Sequence, residues 1–224
     1  MALVMGATNP TNDAVNEIYA FPTSYAQQRL WFLRHFEPES TAYNVPAAFR
    51  LTGTINITAL KNSFSEIVRR HETLRTTFSL RDGEPKQIIA STVPVAITVI
   101  DLRPLRQSDR EGEIPRLIAE EMKPRFDLEK GPLFQVSLVL INDNEAVLII
   151  NMHHIISDGW SIPILFREIA VCYEAFSTNV APVLPELPIQ YADYAIWQRG
   201  WLQGHILEEQ VSYWQKQLDG IPAV

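Results

Sequence analysis

At 224 residues, with 46% hydrophobic and 20% charged side chains, the chain has the makeup of an ordinary globular protein with room for one large domain or two small ones. A formal charge of -7 and the lack of any Lys/Arg cluster exclude the basic surface that nucleic-acid binding requires. No apolar run reaches membrane-spanning length, the start MALVMGATNPTND lacks a basic leader and a signal-length apolar core, and the single cysteine, Cys172, cannot close an internal disulfide. The expectation is a cytoplasmic protein with neither nucleic acid nor membrane as partner.

Residues 1 to about 20, rich in Asn, Thr and Ala without periodicity, read as a leader or linker. Thr23 or Ser24 then caps a helix carrying Ala26, Leu30, Trp31 and Leu33 that ends near Pro38. Asn44 to Leu51 alternates as a strand, and Thr58 to His71 sets Leu60, Phe64, Ile67 and Val68 at helical spacing. Leu74 to Leu80, the Asp82-Gly83 turn and Lys86 to Ala90 form a predicted hairpin, followed by a short strand at Ala96 to Ile100.

Gln107 to Lys123 places Ile114, Leu117, Ile118 and Met122 at helical offsets, with Pro115 expected near the first turn or at a break. Leu133 to Ile141 and Ala146 to Met152 are apolar and β-branched, joined by Asn142-Asp143-Asn144; they read as two central strands. Gly159 to Phe176 follows as a helix with Ile162, Leu165, Phe166 and Ile169 inward, Arg167 and Glu168 toward water, and Cys172 on a buried face. The Pro-rich stretch Pro182 to Pro188 is an irregular crossing, and Ala192 to Gln203 and Leu207 to Leu218 are two last helices. There is no Gly-rich phosphate loop and no regular alternation of strand and helix, so the expected class is α/β but not doubly wound.

The chemically informative string is Met152-His153-His154-Ile155-Ile156-Ser157-Asp158-Gly159-Trp160-Ser161, at the end of a buried strand and ahead of a helix. Successive residues of a strand face opposite ways, so the two histidines cannot serve one reaction centre unless the strand breaks between them. Asp158 can fold back to orient an imidazole or pair with a buried cation, and Gly159 permits close backbone approach. Two bland alternatives stand beside this. The histidines can be core residues bonded to carbonyls, or His153, His154 and Asp158 can be metal ligands, although no Cys, Glu or third His recurs at ligand spacing. Ser157 and Ser161 sit in no Gly-x-Ser-x-Gly elbow, which speaks against a serine hydrolase.

HHIISDG at His153 to Gly159 resembles the HHxxxDG signature of nonribosomal peptide synthetase condensation domains, members of the chloramphenicol acetyltransferase-like superfamily. Three further strings resemble motifs of that family in the same order: SYAQQRLWFL from Ser24, RHETLRTTF from Arg70 and YADYAIW from Tyr191. VSYWQKQLDGIP resembles the helix that leads into the second half of such domains, and motifs of that second half have no counterpart. The resemblance implies a first lobe, residues 21–224, of chloramphenicol acetyltransferase-like fold: a mixed, largely antiparallel sheet flanked by helices, with the C-terminal lobe absent. It implies amide formation between a donor acyl or peptidyl thioester and an acceptor aminoacyl thioester, of the subtype that joins two L-residues. The substrates would ride on the phosphopantetheine of donor and acceptor peptidyl carrier proteins, with an adenylation domain adjacent, and no cofactor or metal bound directly.

Carried over residue by residue, the resemblance makes His154 the group that acts on the acceptor amine, with Gly159 offering a backbone N–H to the thioester oxygen. His153 turns inward, and Asp158 pairs with Arg70 to fix the loop, supported by Arg75. For Gln27, Arg29, Trp31, Tyr191, Asp193 and Trp197, packing and capping are the preferred roles. A stand-alone acyl-CoA acyltransferase and a non-catalytic docking lobe for carrier proteins are the competing readings.

Overall fold

The computed structural model describes residues 18–222. In chain order the elements are β1 (Ile18–Pro22), α1 (Tyr25–Phe36), β2 (Asn44–Thr52), α2 (Ile57–Arg70), a 3-10 turn (Glu72–Arg75), β3 (Thr76–Arg81), β4 (Glu84–Ala90), β5 (Ile97–Asp101), α3 (Gln107–Glu121), β6 (Phe134–Asn142), β7 (Glu145–His153), α4 (Ser161–Ser177), α5 (Tyr191–Trp201) and α6 (Gly204–Leu218). Local chemistry sets several of these boundaries. Ser24 and Gln27 form a reciprocal capping box: the Gln27 N–H donates to Ser24 Oγ at 3.2 Å, and the Ser24 N–H donates to Gln27 Oε1 at 2.9 Å. Asn56 caps α2 by accepting from the Ala59 N–H. Asp82 and Gly83 both adopt positive φ, 52° and 78°, as a tight turn between β3 and β4 requires.

The expected antiparallel strands divide between two sheets, one ordered β1-β4-β3 and one β2-β7-β6-β5. Among the described residues only the β5–β6 pairing is parallel, so the second sheet is mixed. β6 and β7 are its interior strands and are buried along almost their whole length. Alternation sorts their side chains. Val136, Leu138, Leu148, Ile150 and Met152 join the main core with residues of α2 and α4, whereas Val139, Ile141, Val147 and Ile149 meet Leu117 of α3 in a smaller core on the opposite face. β7 therefore runs sandwiched between helices and delivers its last residue, His153, to the edge of the main core.

Three expectations need correction. Residues 18–20, expected in the leader, belong to β1, which pairs with β4 from Ile18↔Ala90 to Pro22↔Lys86; the rest of the expected leader lies outside the described residues. Pro115 lies in the interior of α3 and the helix runs through it. Pro115 and Glu111 both face solvent, where water can satisfy the freed carbonyl, while Ile114, Leu117 and Ile118 hold the helix on the sheet. The segment before β3 opens with a 3-10 turn, so the strand begins at Thr76 rather than Leu74.

Candidate active site

The ladder between β2 and β7 ends at Asn44↔His153, and the chain turns at the next residue. That break separates the paired histidines. His153 is 3% exposed; its Nδ1 accepts from the Ile155 N–H at 3.1 Å, and its ring packs against Tyr43 and edge-on to Phe126. Burial, helped by the charges of Arg34 and His154, pushes the His153 imidazole down to about 4. His153 is thus a neutral core residue, although the bland reading puts both histidines in the core on carbonyls, whereas His154 is exposed and His153 Nδ1 meets an N–H.

His154 is exposed, its N–H anchored to the Tyr43 carbonyl at 2.7 Å, and it lines a cavity of about 270 Å³ together with Arg29, Tyr43, Asp158 and Tyr191. The loop beyond it is pinned from three sides. Gln27 Nε2 donates to the Ile155 carbonyl at 3.4 Å, and Thr73 Oγ1 donates to the Ile156 carbonyl at 3.0 Å. Asp158 Oδ1 accepts from both the N–H and the hydroxyl of Ser161, at 2.8 and 2.6 Å. These bonds, the hydroxyl first, hold the Asp158 carboxyl below the usual carboxylate range. Asp158 therefore ties the loop to the first turn of α4.

The expected ion pair between Asp158 and Arg70 is not formed. Arg70 Nε donates instead to Glu168 Oε2 at 3.1 Å, both side chains being nearly buried, and its terminal nitrogen reaches the Pro185 carbonyl. His71 Nε2 bonds the same carboxylate oxygen at 2.7 Å. The cause lies in the helix phase: Glu168 falls on the face of α4 shared by Leu165 and Cys172 and turned toward α2, so it is buried while Arg167 is exposed. The expectation that Glu168 faces water is corrected with it. Arg75 supports the neighbouring sheet, bonding Glu72 at 3.2 Å and the Ala90 carbonyl at the end of β4.

Gly159 is exposed, and a Cβ added there would meet nothing within 4 Å. Close packing among the described residues, one reason given for a glycine at this position, does not apply. Gln27 is buried and does cap α1, as expected, but it also reaches Gln87 and the loop. Thr73, within RHETLRTTF, is a loop anchor that sequence reasoning misses, because nothing in its neighbourhood marks it as one. Tyr191 closes the cavity with its hydroxyl 3.0 Å from Ser24 Oγ. Among the described residues, no group of three or more His, Cys, Asp or Glu side chains is placed to hold a metal ion, and no helix is long and apolar enough to cross a membrane.

A family model described as "Condensation domain" matches residues 18–224. A linear gramicidin synthase of Brevibacillus parabrevis is 48% identical over 199 residues, which cover 89% of this chain and 4% of that protein. Phosphinothricin tripeptide synthetase PhsC of Streptomyces viridochromogenes is 41% identical over 203 residues, 91% of this chain and 19% of that protein. Among solved structures, the X-domain from teicoplanin biosynthesis superposes with a TM-score of 0.81 at 30% identity, covering 95% of this chain and 46% of its own. The first condensation domain of the calcium-dependent antibiotic synthetase, solved with a substrate analogue, gives 0.81 at 19% identity, 92% of this chain and 49% of its own; that likeness speaks for the fold alone. The chain thus spans a small part of the synthetases it matches and about half the length of the matching structures.

Proposed function

Because the chain belongs to the condensation-domain family, we propose that it is the N-terminal lobe of a domain that forms amide bonds between carrier-bound thioesters in nonribosomal peptide synthesis. The reading rests above all on one observation: of two adjacent histidines, His153 is locked in the core and His154 is turned out onto a cavity by a loop anchored on three sides.

In the proposed reaction the amine of the acceptor aminoacyl thioester attacks the carbonyl carbon of the donor acyl or peptidyl thioester. A C–N bond forms, the donor C–S bond breaks, and the donor phosphopantetheine leaves as its thiolate. His154 orients the amine and takes up the proton that the nitrogen loses, which leaves a neutral amide. The Gly159 N–H, on an exposed stretch of the same loop, is the donor assigned here to the oxygen that gains charge in the tetrahedral intermediate. Asp158 and His153 hold the loop through Ser161 and the Ile155 N–H, Arg70 and Arg75 brace the neighbouring helices and sheet, and none of the four exchanges a proton with substrate.

The substrates are delivered by donor and acceptor carrier proteins, with a C-terminal lobe supplying the facing wall and an adenylation domain charging the acceptor carrier. The form of RHETLRTTF and the unsplit HHIISDGWS support the subtype that joins two L-residues. The test is mass-spectrometric detection of the amide when the complete domain meets a loaded donor carrier and a loaded acceptor carrier. Amide from the L-configured donor in preference to its D-epimer is expected. Efficient acylation of a free amine by acyl-CoA without carriers would overturn the reading in favour of a stand-alone acyltransferase.

A further inference from the structure

Beside the cavity onto which His154 faces lies a second, smaller one of about 140 Å³, and the two share four wall residues: Thr73, Ile156, Ser157 and Ser161. The rest of the smaller wall is mostly apolar, from Leu74, Met152, Ile164 and Leu165. His71 completes it with its Nε2 already engaged by Glu168, and among the described residues no Asp, Glu, Lys or Arg lines it. Such a space favours an uncharged, apolar group and disfavours an ion, which would lose its hydration without gaining a partner. The boundary carries a further mark. Ser157 Oγ is buried and has no hydrogen-bond partner among the described residues, an arrangement that calls for explanation wherever a hydroxyl is withdrawn from water.

We propose that this annex is a subsite for the acceptor's side chain, one that accepts an uncharged, apolar aminoacyl group; the proposal rests on the condensation reading above. In an acceptor aminoacyl thioester the amine, the side chain and the thioester carbonyl all hang from one α-carbon. With the amine held at His154, the side chain starts two bonds away, next to the wall that Ser157 forms three residues further along the same loop. The side chain passes into the annex, and the Ser157 hydroxyl acquires a partner in the acceptor's carbonyl oxygen. Thr73 then has two functions, bonding the loop through the Ile156 carbonyl and forming part of the shared wall.

The experiment uses the complete condensation domain within its synthetase, one loaded donor, and N-acetylcysteamine thioesters of alanine, leucine, phenylalanine and lysine as acceptors. Ile164→Trp narrows the annex and Ile164→Ala widens it. Ile164→Trp should lower the ratio of kcat/KM for leucine over alanine by roughly tenfold, and Ile164→Ala should raise the ratio for phenylalanine over leucine by a similar factor. Each ratio is internal to one variant, so partial loss of folded protein cancels, and the Ala variant decides if the Trp variant does not fold. Amide formation with both ratios unchanged overturns the subsite alone, as does a shift that follows the donor's side chain when donors are varied instead. Failure of the unsubstituted domain to make any amide overturns the condensation reading and the subsite with it.

Discussion

His153 and His154 are neighbours in the chain with opposite surroundings, and the difference has a measurable consequence in acid. The unfolded chain protonates His153 as the pH falls through 6.5, whereas the folded protein resists until about 4, because a charged imidazole would lose its hydration beside Phe126. The contribution of His153 to stability is therefore complete above pH 6.5 and is lost between there and about 4; the loss amounts to roughly 3 kcal/mol. Replacing the group that titrates should flatten that part of the profile. His153→Asn is expected to unfold with a smaller difference in denaturant midpoint between neutral pH and pH 4 than the unsubstituted protein, and equal differences would refute the buried-neutral assignment. The divergence of the two rings was legible in the sequence, since alternation along a strand already forbids both from facing one centre. What the sequence did not disclose was the partner of Asp158. A carboxylate with Ser three residues ahead at the start of a helix had a local hydrogen-bonding solution, and the structure takes it in preference to a distant guanidinium.

Helices α2 and α4 lie side by side, and at the C-terminal end of α2 they are linked by Arg70, His71 and Glu168. Removing one partner of a buried pair strands the other without compensation at roughly 3–5 kcal/mol. Glu168→Ala and Arg70→Ala should each cost on that order in urea unfolding, and the double variant should cost clearly less than their sum. Asp158→Ala removes only a loop-to-helix anchor near solvent and should cost about 1 kcal/mol, adding to Arg70→Ala without coupling. A strong coupling between Arg70 and Asp158, with none between Arg70 and Glu168, would contradict the observed pairing. Nearly every helix and strand was visible in the periodicity, to within a few residues at most boundaries. Glu168 was not, because a glutamate beside an arginine reads as a solvated face, and the partner that buries it lies 98 residues earlier in the chain. Pro115 misled for a related reason: helix-breaking is a local rule, and packing of Ile114, Leu117 and Ile118 on the sheet overrides it.

At the scale of the whole molecule, the described residues present the His154 loop on a cavity. The last of the described helices, α6, buries no residue, and Trp201, Leu207, Val211, Trp214 and Leu218 line an exposed groove. The fold class and the motif-bearing loop were legible from four short strings in order. The division of the strands into two sheets was not, since pairing partners such as β1 and β4 are distant in sequence and share no local signal. In the proposed reaction two carrier arms meet at one imidazole, which requires walls on both sides to hold the thioesters in line. Residues 18–222 expressed alone should therefore give no amide above background from two loaded carriers, while the complete domain does; turnover by the lobe alone would contradict the two-sided geometry. Most direct of all is the single-turnover rate of amide formation by the complete domain carrying His154→Ala, with its melting temperature measured alongside. Because the ring is exposed and its backbone N–H bond to Tyr43 survives the substitution, melting should be unchanged while the rate falls roughly 100-fold or more. A rate within a few-fold of the unsubstituted domain would show that His154 does not act on the amine.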